Sequence, residues 1–257
     1  MEYVERIPSS AEPPAEISYT SVDEELVGFD DHAENIIKIV RGWSNYLDVI
    51  SIVGIAGIGK TALARKIYSD VSIIGHFDVR AWCSVGQTYN VRKLFLEILK
   101  QITGDRFVNV DDPDDMVRKT LLGKRYLIVL DDICEYKVWD DLRLCFPRMK
   151  TGSRIMVTTR NAELARYIRL YSEPYLLPFL RDEESWELLQ KKVFRGESCP
   201  LELRSVGPLV AKQCKGLPFL IIMIAGILSR KKREASLWLE VAYDIGSYTL
   251  EEGSMKM

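Results

Sequence analysis

Apolar and polar positions change rhythm several times along the chain. The first 22 residues have no period and carry Pro8, Pro13 and Pro14, so residues 1–22 read as a linker. After the acidic Asp23-Glu24-Glu25, residues Ile36, Ile37 and Val40 recur at helical spacing within Glu34–Val40. Asp48–Val53 is a short β-branched run that a glycine ends, the pattern of a buried strand. Thr61–Tyr68 then reads as a helix with Leu63, Ala64 and Ile67 on one side. Asp78–Val85 is a second strand, and Val91–Ile102 is an amphipathic helix with Leu94, Phe95, Ile98 and Leu99 on its apolar stripe. Residues 104–115 are polar and acidic, a loop from which Asp114 or Asp115 would cap the helix that follows. Tyr126–Leu130 is the most strand-like run, Arg154–Thr158 is another, and Tyr175–Leu177 is a short last one.

Beyond about residue 181 no strand pattern remains. Glu183–Phe194, with Asp182 as its cap, Leu203–Cys214 and Leu217–Ser229 all read as helices. The apolar run Leu217–Leu228 is too short to span a bilayer and reads as a helix buried on all sides. Strands that alternate with helices imply an α/β fold, a parallel sheet with helices on both faces. The expected organisation is therefore a sheet-bearing domain over 23–180, a small all-helical subdomain over 181–250 and a tail over 251–257.

Composition narrows the functional classes. Apolar residues are 47% of the 257, enough for a sizeable core. Thirty-five basic against 37 acidic residues leave no global excess of positive charge to drive binding to nucleic acid, and the basic run Arg230-Lys231-Lys232-Arg233 reads as a solvated helix end. Five irregularly spaced cysteines (Cys83, Cys134, Cys145, Cys199, Cys214) suit a reducing compartment rather than a disulfide or zinc framework. The acidic start Met1–Arg6 is no secretory signal, and the expected location is cytoplasmic, or peripheral at membranes, without a transmembrane segment.

The chemistry lies at strand ends. Gly54-Ile55-Ala56-Gly57-Ile58-Gly59-Lys60-Thr61 matches the phosphate-loop pattern G-x-x-x-x-G-K-(S/T) and stands between a predicted strand and a predicted helix. Glycines let backbone amides close around phosphate oxygens, and the helix that follows adds its positive end. Lys60 would reach the β- and γ-phosphates, and the Thr61 hydroxyl would ligate Mg2+. The strand Leu127–Leu130 ends in Asp131-Asp132. This arrangement delivers Asp131 to the Mg2+ shell and leaves Asp132 to orient or deprotonate a water. Thr158-Thr159-Arg160 ends another strand; if that strand neighbours the acidic one, Arg160 lies near a γ-phosphate, and otherwise it is an exposed loop arginine.

In order, these pieces resemble the NB-ARC module of plant NLR immune receptors, within the STAND class of P-loop NTPases. The likeness runs from about Leu26 to Leu250. Leu26-Val27-Gly28-Phe29 is similar to the family's adenine-side motif, Phe77–Val85 to the block found in the coiled-coil class, and Lys124–Ile133 to the kinase-2 block. Gly152–Arg160 resembles the block that ends in the sensor arginine, and Gly216-Leu217-Pro218-Phe219 the GLPL motif. Val138–Arg143, Glu184–Leu189 and Ala225–Ser229 look like the late blight resistance type of nightshade-family plants, with related helper receptors a close second.

The resemblance implies a switch that ADP holds closed and ATP opens, with Mg2+ as companion ion. It implies that Val27 and Gly28 meet the base, that Pro218 packs near the adenine or ribose, and that Arg160 senses the γ-phosphate. It also implies binding along the whole loop, Gly54 to Ala62, and coiled-coil and leucine-rich-repeat regions, other receptors or pathogen effectors as partners. Three positions depart from the family: Ala56 replaces a usual glycine or proline, Ala62 a common threonine, and Cys134 a usual tryptophan. Alanine fits at position 56 only with a negative φ. Against the family the chain ends near the close of the first helical ARC subdomain, without the second and its MHD histidine. The reading is a nucleotide-held regulatory module. The alternatives are a slow Mg2+-dependent ATPase, or an interaction protein that no longer switches.

Overall fold

The computed structural model describes residues 27–42, 44–86, 89–104 and 111–254, with 246–254 as backbone only. The linker 1–22, Leu26 and the end of the tail, 255–257, lie outside these residues. Five parallel strands form one sheet: β1 (Asp48–Val53), β2 (Val79–Ser84), β3 (Tyr126–Asp131), β4 (Arg154–Thr159) and β5 (Tyr175–Leu176), in the order β2-β3-β4-β1-β5. The fold class is therefore the expected one, α/β with a parallel sheet and flanking helices.

β1, β3 and β4 are buried along their whole length. Their side chains alternate between two cores, as the twofold strand period requires. Ile50, Ile52, Leu127, Val129 and Met156 face α1 (Asp30–Val40) and α2 (Lys60–Ser69). Val49, Ile128, Leu130, Ile155 and Val157 face α4 (Val91–Thr103), α5 (Pro113–Leu121), α6 (Tyr136–Leu142) and α7 (Ala162–Ile168). The short α3 (Val71–Ile74) starts where the Asp70 carboxylate accepts the Ser72 amide at 2.8 Å. Asn90 and Asn161 cap α4 and α7 in the same way.

A third core joins Val27 and Leu180 to α8 (Asp182–Phe194), α9 (Gly207–Gln213), α10 (Pro218–Leu228) and α11 (Ala235–Ser254). Trp238 of α11 is fully buried there and stacks on Phe194 with ring centroids 6.0 Å apart.

Several sequence expectations shift. Proline's fixed φ suits the first helical position, so α5 starts at Pro113 with Asp112 at its cap, and Asp114 and Asp115 fall in its first turn. Asp182 likewise lies inside α8; Arg181 is the cap residue, and its amide donates to the Glu184 carboxylate at 2.8 Å. The helix expected over Leu203–Cys214 is shorter, because Gly207-Pro208 start α9 and leave Leu201–Leu203 as a 3-10 turn. α10 is not buried on all sides. Ile221, Ile224, Ala225 and Leu228 meet the third core, while Phe219, Ile222, Met223 and Ile227 are exposed by 45–58%. The run Arg230–Arg233 is exposed between α10 and α11 rather than at a helix end.

Two side chains brace the sheet, one at its β2 edge and one at the start of its central strand. The Gln101 side-chain amide accepts the Trp82 N–H at 2.7 Å and donates to the Trp82 carbonyl at 2.6 Å, which closes the open side of β2. Arg154, 2% exposed, donates to the carbonyls of Gly42, Ser44, Tyr46 and Ser153 at 2.9–3.1 Å and so ties the loop before β1 to the start of β4. Replacing it by methionine keeps the stem but removes the donor from the Gly42, Ser44 and Tyr46 carbonyls, while the Ser153 carbonyl keeps the Asp48 N–H. Arg154→Met is expected to lose about 3 kcal/mol of stability, read from urea unfolding; a loss under about 1 kcal/mol would show that the staple is dispensable.

Candidate functional site

The strand order decides where the polar ends meet. β4 lies between β3 and β1, with Val53 beside Thr159 and Leu130 beside Val157. The loop that leaves β1, the acids that end β3 and the arginine after β4 therefore share one carboxyl edge, where open α/β sheets bind ligands.

The 54–61 loop wraps the start of α2. Gly57 has φ +76° and Gly59 φ +103°, conformations that L side chains resist. Both are also tightly packed. A Cβ on Gly59 would lie 2.4 Å from Phe29 Cζ, and one on Gly57 2.6 Å from Phe219 Cβ. Ala56 is absent from the positive-φ residues, so alanine fits the turn without strain. Lys60 is buried and donates from Nζ to the Ile55 carbonyl at 2.9 Å. Its pKa is held below the ordinary lysine value, first by burial and then by Arg160, against the opposing pull of Asp132 and Asp131.

Across the edge, the Asp131 carboxylate accepts from the Thr61 hydroxyl at 2.9 Å and from the Thr158 hydroxyl at 2.5 Å. Asp132 has a left-handed backbone, φ +59°, and its carboxylate stands 3.5 Å from the Arg160 guanidinium.

These groups face a cleft of about 760 Å³, within the size range of small-ligand sites. Of the residues singled out by sequence, Val27, Ala56, Gly57, Gly59, Lys60, Thr61, Ala62, Asp131, Asp132, Arg160 and Pro218 line it. Four do not. Gly28 lies against Leu180 and Glu184, Gly54 donates its amide to the Thr159 carbonyl at 3.3 Å, the Ile55 side chain is exposed, and Ile58 is buried in the core under the loop. The cleft also takes in Phe29, Arg65, Leu188, Lys192, Phe219 and Ile222, which sequence reasoning did not select. Phe29 and Phe219 stand inside the quoted motif blocks. Arg65 follows Thr61 by one helical turn, and Leu188 and Lys192 are one turn apart on α8, so their spacing was visible but not the direction they face. Arg65 is held by Trp82, its guanidinium carbon 4.8 Å from the ring centroid. Four basic side chains, Lys60, Arg65, Arg160 and Lys192, thus surround two carboxylates beside an apolar wall. This pattern suits a polyanion with a flat apolar end.

The NB-ARC domain model matches residues 29–199. The chain belongs to the NB-ARC family. It is 46% identical over 231 residues to "Late blight resistance protein R1-A" of Solanum demissum, covering 88% of this chain and 18% of that protein. It is 45% identical over 231 residues to "Putative late blight resistance protein homolog R1B-12" of the same species, covering 88% and 17%. The chain thus spans less than a fifth of either relative's length. Among solved structures, the Aeropyrum pernix ORC2 protein in its ADPNP–ADP complexes has a TM-score of 0.58 at 17% identity, covering 85% of this chain and 68% of that one. C. elegans PCH-2 has a TM-score of 0.55 at 11% identity, covering 92% and 73%. These two share the fold. Among the described residues no helix is long and apolar enough to cross a membrane.

The packing of Gly57 on Phe219 can be tested against a control. Gly86 has a similar φ, +68°, but nothing within 4 Å of its would-be Cβ. Gly57→Ala and Gly86→Ala should share the backbone strain, and Gly57→Ala should cost about 1–3 kcal/mol more by denaturant unfolding. Equal losses would show that the loop and α10 are not in tight contact.

Proposed function

We propose that this NB-ARC chain is the nucleotide-binding switch module of a plant disease-resistance receptor, held by ADP and released by exchange for ATP. One observation carries the reading: Lys60 and Thr61 after β1, Asp131 and Asp132 after β3, and Arg160 after β4 line one cleft at one sheet edge. In this reading residues 23–180 are the phosphate-loop unit and 181–250 the first ARC subdomain.

In this reading each residue has a task. The amides of the 54–61 loop and the Lys60 ammonium take the β-phosphate, with the positive end of α2 behind them. Thr61 and Asp131 offer only oxygen donors, 2.9 Å apart, the hard ligand set that Mg2+ prefers when phosphates complete its shell. The ion, when bound there, neutralises phosphate charge. Arg160 lies at the cleft, 3.5 Å from Asp132, and in this reading it exchanges that carboxylate for a γ-phosphate oxygen, which would separate triphosphate from diphosphate. Val27, Pro218 and the rings of Phe29 and Phe219 give the base an apolar seat. Asp132 lines the cleft where a water could be oriented, so slow hydrolysis belongs to the reading as a reset of the switch rather than its output. The partners proposed are the coiled-coil and leucine-rich-repeat regions of a receptor, other receptors or effectors, and the proposed location is cytoplasmic.

Native mass spectrometry of the purified chain should find ADP retained. A nucleotide-free protein whose melting temperature ignores added ADP would overturn the proposal. Lys60→Arg should weaken ADP binding about tenfold or more by calorimetry, because the larger planar head cannot replace a buried ammonium; unchanged affinity would remove Lys60 from the site.

A further inference from the structure

Thr158 is a fully buried polar residue that the assignments above leave without a task. It lies in β4 one place before the strand's end, next to the end of β3. Its hydroxyl makes two bonds of opposite sense. It donates to Asp131 Oδ1 at 2.5 Å and accepts the Asp132 backbone N–H at 2.8 Å. Its own carbonyl accepts the Ile133 N–H at 3.0 Å. Asp131, Asp132 and Ile133 therefore fold around this one residue.

Each bond answers a particular need. Asp131 carries two carboxylate oxygens on a short side chain, and the Thr61 hydroxyl lies near both, at 2.9 and 3.2 Å. A donor fixed on the neighbouring strand holds Oδ1 in one orientation. Asp132 is in the left-handed region, φ +59°, which a residue with a Cβ occupies at a cost. The amide turned inward there is left unpaired unless something accepts it, and Thr158 Oγ1 does. The same turn brings the Asp132 carboxylate to Arg160, two residues along the chain from Thr158.

We propose that Thr158 is the positioning residue of the site: its hydroxyl sets the orientation of the Asp131 metal ligand and the left-handed turn at Asp132, and so determines how tightly Mg2+ is held with a nucleoside triphosphate. The proposal rests on the nucleotide-binding reading above. A hydroxyl is required because a single group must donate on one side and accept on the other. Valine, nearly the same shape, can do neither. Serine can do both.

The test uses the full chain and a non-hydrolysable ATP analogue, titrated with Mg2+ and separately in EDTA. Wild type and Thr158→Ser are expected to show the same Mg2+ requirement. Thr158→Val and Thr158→Ala should need about tenfold or more Mg2+ for half of the metal-dependent gain in affinity, the usual size of such an outer contact, with affinity in EDTA unchanged. Should the valine chain fail to fold by circular dichroism, the serine and alanine variants, which differ by one hydroxyl, decide the matter. A folded alanine variant with the wild-type Mg2+ requirement would overturn the proposal. So would equal losses in Mg2+ and in EDTA, which would mark a purely structural role. A wild-type chain that binds no nucleotide in either buffer would overturn the nucleotide reading itself, and the variants are not needed to see that.

Discussion

The pairing of β4 with β3 on one side and β1 on the other is the constraint from which the site follows. The phosphate loop and the acidic pair lie about 70 residues apart in sequence, and the 2.9 Å contact between Thr61 and Asp131 exists only because one strand stands between their two strands in register. Full burial of all three strands makes that register hard to change, since a slip of one residue would turn every side chain to the wrong core. The site inherits its precision from the sheet rather than from the loops that carry it.

The helical layer then closes the other wall. Gly57 and Gly59 have no side chains, which lets Phe219 and Phe29 seat directly on the loop backbone. The Phe219 amide donates to the Gly57 carbonyl at 3.1 Å, so the start of α10 is hydrogen-bonded to the phosphate loop itself. Displacement of α10 would act on that loop through a main-chain bond. This gives a physical route by which a bound nucleotide and the placement of the helices can bias one another.

Much of this was legible in the sequence, and for stated reasons. The β-branched runs gave the strands, the glycine pattern gave the loop, and two carboxylates after an apolar run gave the metal side. Strand order was not legible; it follows from crossovers that no local pattern encodes, and it alone turned Arg160 from one of two alternatives into a wall of the cleft. Leu188 and Lys192 were invisible as site residues because their helix buries one flank in its own core and turns another to the cleft. The apolar α10 misled in the opposite way, since uniform hydrophobicity carries no sign of which face is covered. Short helices α3, α6 and α7 escaped because so few turns leave little period to detect.

The amide of Gln101 has a consequence for how copies of this chain can meet. By occupying both polar groups of the Trp82 peptide it removes the middle of β2 as a template for another strand, while the opposite edge, β5, is only Tyr175–Leu176. Among the described residues, neither border of the sheet presents a long uninterrupted row of free backbone groups. Extension of this sheet into a neighbour is thereby disfavoured relative to association made side chain to side chain, where charge and shape can discriminate between partners.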